Sequence, residues 1–187
     1  MVTVPVRNLT LEEFLKLPET KPASEYINGE IIQKAMPQGK HSTMQGEFVT
    51  TINSTVKPQK IARAFPELRC TFGGRSIVPD VAVFSWNRIP VDEQGNIANV
   101  FNTYPDWTIE ILCHEQSTTR PTKNILHCLN HGTSLGWLID PEEYNVFIYP
   151  SHQQTMFLEN PEDILPVPNL VGNLHLTLGE LFNWLKL

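Results

Sequence analysis

The chain has 187 residues, 41% of them hydrophobic and 18% charged, and a formal net charge of −6. That length can bury a sizeable core in one domain, and the acid excess argues against a general nucleic-acid coat protein. No run approaches the roughly 18 apolar residues needed to span a bilayer, no basic-then-apolar leader is evident at the N-terminus, and three scattered cysteines, Cys70, Cys113 and Cys128, suit reduced thiols in the cytoplasm.

Thr10-Leu11-Glu12-Glu13 is a capping-box pattern that predicts a short helix running to Leu17 and stopped by Pro18. Asn28-Gly29 between two apolar runs predicts a hairpin over Tyr26–Ile32. Met44, Phe48, Ile52 and Val56 recur every four residues and predict a helix over His41–Val56, ended by Pro58. Short strands follow at Ile61–Phe65, at Glu67–Phe72 and up to Phe84, with Gly73-Gly74 as a turn.

Ser85 to Pro105 is a long polar excursion, and loops of that length usually have a task of their own or are disordered. A strand at Trp107 comes next, then a helix with Pro121 at its first position, running to His131 and closed by Gly132. Strands at Gly136–Asp140, Asn145–Tyr149 and Gln154–Leu158 precede a second capping box, Thr177 to Glu180, and a terminal helix. Helices and strands alternate, so the class is α/β or α+β with a mixed central sheet. The whole chain, 1–187, is expected to be one domain, with a core over about 24–150 and a C-terminal extension over 151–187.

Two strands carry an anomaly. Ile77-Val78-Pro79-Asp80-Val81-Ala82-Val83-Phe84 and Trp107-Thr108-Ile109-Glu110-Ile111-Leu112 are apolar runs that each hold one acid. An unpaired buried carboxylate is costly, so the two acids are expected to lie side by side and share a cation, as in hard-metal sites for phosphodiester chemistry. Without the metal, the pair should repel, so Asp80→Asn should leave the metal-free fold as stable or slightly more so. Charge is also unevenly spread. Lys57, Lys60, Arg63, Arg69 and Arg75 share a stretch whose only acid is Glu67, a segment able to track phosphates or simply a solvated surface.

These runs, with Tyr26-Ile27-Asn28-Gly29-Glu30, Met36-Pro37-Gln38-Gly39-Lys40-His41 and Gly136-Trp137-Leu138-Ile139-Asp140-Pro141, resemble the bacterial Uma-type restriction-endonuclease family over about residues 8–150. That family is a branch of the PD-(D/E)XK nuclease superfamily. The resemblance implies a restriction-endonuclease-like mixed sheet flanked by helices, with an N-terminal β-hairpin arm, and a homodimer. It also implies a DNA endonuclease using Mg²⁺ or Mn²⁺, or a catalytically decayed relative that only binds nucleic acid or protein. Asp80, Glu110 and the carbonyl of Ile111 would hold the metal, and Glu47 resembles the helical acid that many superfamily members add.

The lysine usual two residues after the second acid is missing, because Leu112 stands there. In the family a lysine on the next helix is thought to substitute. Lys123 is the nearest, while Asn124 falls at the usual position, about 100° of helix rotation away. Gln116 and His41 are further catalytic candidates, as water or phosphate positioner and as proton-transfer group. Arg75, Glu30 and Asn124 are candidates for contacting substrate, although Glu30 also suits a cross-strand charge pair and Glu47 a plain surface position. His127 and His131 share a helix face near Cys128, but no Cys-x-x-Cys pair supports zinc.

Overall fold

The computed structural model describes residues 9–187. Among the described residues, ten strands form two sheets, accompanied by four α-helices. The N-terminal helix α1 (Leu11–Phe14) has both arms of the Thr10–Glu13 capping box and ends one turn earlier than the sequence suggests. Strands β1 (Ser24–Ile27) and β2 (Glu30–Gln33) make the expected hairpin. Asn28 and Gly29 both take positive φ, 53° and 90°, the pair of conformations a tight two-residue turn demands. The hairpin arm is anchored in a sheet. β1 pairs with β5 (Arg75–Ile77), which pairs with β4 (Cys70–Phe72), giving a four-stranded sheet in the order β2-β1-β5-β4.

The larger sheet runs β10-β9-β8-β7-β6-β3, built from β3 (Ala62–Pro66), β6 (Val81–Ser85), β7 (Trp107–Ile111), β8 (Leu135–Asp140), β9 (Asn145–Pro150) and β10 (Met156–Leu158). Only β7 and β8 pair in parallel, and the connection between them carries helix α3 (Thr119–Asn130), as a parallel crossover requires. The excursion between β6 and β7 forms a single 3-10 turn, Trp86–Arg88, and is tied down where Arg88 bonds Asp106 Oδ1 at 2.6 Å.

The two faces of this sheet have different covers. Val81, Val83, Trp107, Ile109, Ile111, Trp137 and Ile139 share one face with helix α2 (Gly39–Val56), which buries Met44, Phe48, Ile52 and Val56 there. C-terminal residues from Leu165 through Phe182 join that cluster, the last of them on helix α4 (Leu178–Asn183). The opposite face, with Ala82, Phe84 and Leu138, meets α3 and the smaller sheet. Gly136 lets α3 approach β8 closely, since a Cβ there would overlap Ile125 Cγ2.

Candidate active site

Strand register brings the two anomalous acids together. β6 and β7 are antiparallel with Val81 opposite Ile109, so Asp80, one residue before β6, stands across from Glu110. By the two-residue alternation of strand side chains, both belong to the face that carries α3 and the smaller sheet. Both are buried, at 2% and 3% exposure.

Their shared cation is a lysine that the sequence reading did not single out. Lys34 continues β2, its N–H donating to the Ala23 carbonyl at 2.9 Å. Its ammonium lies 2.6 Å from Asp80 Oδ1 and 3.5 Å from Glu110 Oε2, and donates to the Val78 carbonyl at 2.7 Å. Asp80 Oδ2 accepts from the Ile111 N–H at 2.7 Å and lies 3.1 Å from His41 Nε2. Gln45, one turn along α2 from His41, donates to the Asp80 carbonyl at 2.8 Å. Glu110 is less well served. Its Oε1 is buried with no hydrogen-bond partner among the described residues, and so is His41 Nδ1.

The electrostatics follow from burial and this shared charge. Burial alone would depress the Lys34 ammonium, but the charges of Asp80, Glu110 and Glu25 outweigh it and hold the lysine above its ordinary pKa. Burial would raise Asp80, yet Lys34 and His41 prevail and hold it below the usual carboxylate range. Glu110 goes the other way. Burial pushes it well above its ordinary value against the pull of Lys34, and the charges of Asp80 and Glu25 add to the rise. Two neighbouring carboxylates driven apart in this manner are common at sites of acid–base and metal chemistry.

A third acid completes the constellation. Glu25 on β1 is fully buried. It accepts from the Val78 N–H at 2.9 Å, from Arg120 Nη2 at 2.8 Å, and from Asn124 Nδ2 at 3.2 Å on each oxygen. Arg120 also donates to the Ile32 and Gln33 carbonyls, which clamps the hairpin to α3 and fixes where Lys34 emerges. Glu25 was less legible than Asp80 and Glu110, because Ser24 precedes it and only Tyr26 and Ile27 follow it before the turn, too short an apolar run to mark a buried strand.

The other expected residues divide. His41, Gln116 and Ile111 line one depression with Lys34, Asp80 and Glu110, and Gln116 Oε1 accepts the Cys113 N–H at 2.9 Å. Lys123 and Asn124 do not reach the two acids. Lys123 is exposed, lining a separate cleft with Arg75 and Glu30, while Asn124 is buried against Glu25. Glu47 is exposed on α2, off the face that buries His41, Met44 and Phe48. The basic stretch seen in sequence is dispersed by folding. Arg69 pairs with Glu19 at 2.6 Å, Arg63 lies over the Phe65 ring, and Arg75 stands in the cleft. His127 stacks on Phe72 and His131 meets that ring edge-on, and among the described residues neither joins a group of metal ligands.

The presence of Lys34 reverses one expectation. The metal-free acids are bridged by an ammonium, so removing the Asp80 charge breaks a buried ion pair, where the sequence alone suggested relief of repulsion. Among the described residues no group of three or more His, Cys, Asp or Glu side chains is placed to hold a metal ion. Two carboxylates nevertheless suit Mg²⁺, which commonly keeps several waters and takes one or two protein carboxylates. The orphaned Glu110 Oε1 is a hard, buried oxygen donor of the type such an ion takes. The depression has about 20 Å³ of open space, enough for one water or a small ion, since a water needs roughly 10–15 Å³ by this measure.

Comparison with known proteins agrees with this architecture. A family described as "Uma2: Putative restriction endonuclease" matches residues 11–179. The crystal structure of a protein described as a "putative nuclease belonging to DUF820" from Anabaena variabilis ATCC 29413 is similar at 63% identity, with a TM-score of 0.93, over 95% of this chain and 99% of that one. A DrdV–DNA complex solved by cryo-electron microscopy aligns at 11% identity and a TM-score of 0.38, over 78% of this chain and 12% of that one, too remote to carry an argument. No curated protein matches the chain.

Proposed function

Because the chain belongs to the Uma2 family of restriction-endonuclease-like proteins, we propose that it hydrolyses DNA phosphodiester bonds with a divalent cation, Mg²⁺ or Mn²⁺, held by Asp80 and Glu110. The lysine ammonium held between two buried carboxylates on neighbouring strands, beside a carboxylate oxygen that has no partner among the described residues, supports this reading most strongly. A divalent ion there would neutralise phosphoryl charge and help generate hydroxide near neutral pH.

This chain's own groups do the rest. Asp80 is fixed by the Ile111 N–H and by His41, so one of its oxygens is held in place before any ligand arrives. Lys34 supplies a preorganised positive charge next to both acids, where it stabilises charge developing on a phosphoryl oxygen or orients the attacking water. That is the role expected of the absent motif lysine, now delivered from the hairpin. Glu110, with its raised pKa, holds a proton more readily than an ordinary glutamate and gives it up when a cation takes its place.

A second reading rests on the same geometry. Lys34, His41 and the Ile111 N–H occupy both oxygens of Asp80, as in a nuclease fold whose metal has been replaced by an internal ion pair. Titration with Mn²⁺ followed by electron paramagnetic resonance separates the two. The metal-dependent reading expects saturable binding that Glu110→Gln abolishes. Absence of binding in the unaltered chain, with no DNA cleavage, would favour the decayed one.

A further inference from the structure

The cleft between the hairpin and α3 contains cations that the catalytic depression does not use. It has about 600 Å³ of open space, within the roughly 300–1,000 Å³ typical of ligand clefts. Arg75 from β5 and Lys123 from α3 line it, and among the described residues neither has a hydrogen-bonding or ion-pair partner. Arg120 lines it too, but its guanidinium is committed to Glu25 and to hairpin carbonyls. The single acid in the lining is Glu30. On a protein of net charge −6, a concave surface with two uncompensated cations and one acid suits a polyanion.

The cleft is in line with the catalytic depression. Glu30 and Ile32 line it from one face of β2. Lys34, two residues further on that same face by strand alternation, is the residue that touches Asp80 and Glu110. The loop after β7 spans both as well, with Gln116 in the depression and Ser117 in the cleft. We propose that this cleft is a track for the phosphodiester backbone of DNA, with Arg75 and Lys123 each neutralising one phosphate and delivering the strand to Lys34. This rests on the nuclease reading for the identity of the polyanion. It gives Lys123 a substrate-binding role in place of the catalytic role that its sequence position suggests.

The test is fluorescence anisotropy with a short labelled DNA duplex, and with one of its strands alone, in EDTA and over a series of salt concentrations. Two phosphate contacts predict a slope of log K against log salt near −1.8 for the duplex, at about −0.9 per contact. Arg75→Glu with Lys123→Glu should weaken binding at least tenfold and remove most of that slope, while thermal melting above about pH 6.5, where His127 is neutral in either state, stays close to that of the unaltered chain, because among the described residues neither side chain has a hydrogen-bonding or ion-pair partner. If the double variant folds poorly, Lys123→Glu alone should still lower the slope by about one unit. Comparison of the two probes tells duplex from single strand. Unchanged affinity and slope in either variant would overturn the proposal, as would competition by polyglutamate as effective as by unlabelled DNA. The two readings fail separately. Cleavage by the double variant with an unaltered KM would sink the cleft and leave the nuclease. Cleft-dependent DNA binding without any metal-dependent cleavage would do the reverse.

Discussion

Lys34 and Asp80 stand 46 positions apart in the chain, yet the lysine ammonium lies 2.6 Å from the carboxylate Oδ1 in the protein interior. The contact joins the hairpin to the large sheet, and Glu110 shares it at 3.5 Å. Stability at this site, and the chemistry proposed for it, therefore both depend on how the hairpin docks.

Lys34→Met should be strongly destabilising without metal. It leaves two buried acids facing each other, and breaking a buried pair by removing one partner costs about 3–5 kcal/mol. Urea denaturation in EDTA measures this. The loss should shrink as pH falls, because Glu110, already raised by burial, then takes up a proton and relieves the repulsion. A loss below about 1 kcal/mol, the range of exposed pairs, would mean that Lys34 is not held between the acids.

Asp80→Asn should likewise destabilise the metal-free protein. Asp80 has a depressed pKa and accepts from Lys34 and the Ile111 N–H. A neutral amide keeps part of the hydrogen bonding and none of the charge. Equal or greater stability of the variant in EDTA would restore the simpler picture of two repelling carboxylates.

His127 gives the fold a separate pH dependence. Burial lowers it from 6.5 to about 4, helped by the charges of Arg75 and His131 and opposed by its contact with the Phe72 carbonyl. The unfolded chain therefore binds a proton before the native state does. Its contribution is fully present above about pH 6.5 and is lost as pH falls from there through about 4. His127→Gln, which keeps a donor for the Phe72 carbonyl, should flatten the stability profile over that window. An identical profile in the variant would place the native titration of His127 at its ordinary value.

Gly136→Ala should cost about 1–3 kcal/mol, the usual range for overpacking, because the new Cβ overlaps Ile125 Cγ2. In an Ile125→Ala background that added cost should vanish. Additive effects in the double variant would show that α3 tolerates displacement from β8.

Much of this was legible in the chain itself. The four-residue recurrence from Met44 to Val56 gave α2, Asn28-Gly29 gave the hairpin, and the lone acids in two apolar runs gave Asp80 and Glu110. These are local signals, each set by one element's period or turn. The lysine was not legible, because its position depends on a contact between separate sheets. Lys123 is close to Glu110 in sequence but lies on the exposed side of α3. Lys34 is distant in sequence and reaches the acids only because β1 pairs with β5 and Arg120 clamps the hairpin to α3. Helix ends moved for a similar reason. α3 begins at Thr119, ahead of Pro121, because proline is tolerated throughout the first turn, where backbone N–H groups lack intrahelical partners.

Lys34, and not Lys123, is the proposed catalytic cation beside Asp80 and Glu110. Single-turnover cleavage of a supercoiled plasmid in Mg²⁺ and in Mn²⁺, at saturating protein, tests it most directly. Metal-dependent nicking that EDTA stops is the expected result. Lys34→Arg and Lys34→Ala should each slow it by about 10²–10³, the worth of one preorganised donor, with Lys34→Arg keeping the fold. Lys123→Ala should leave the saturated rate unchanged and raise only the protein concentration needed. A full rate in the Lys34 variants, together with a collapse in Lys123→Ala, would contradict it.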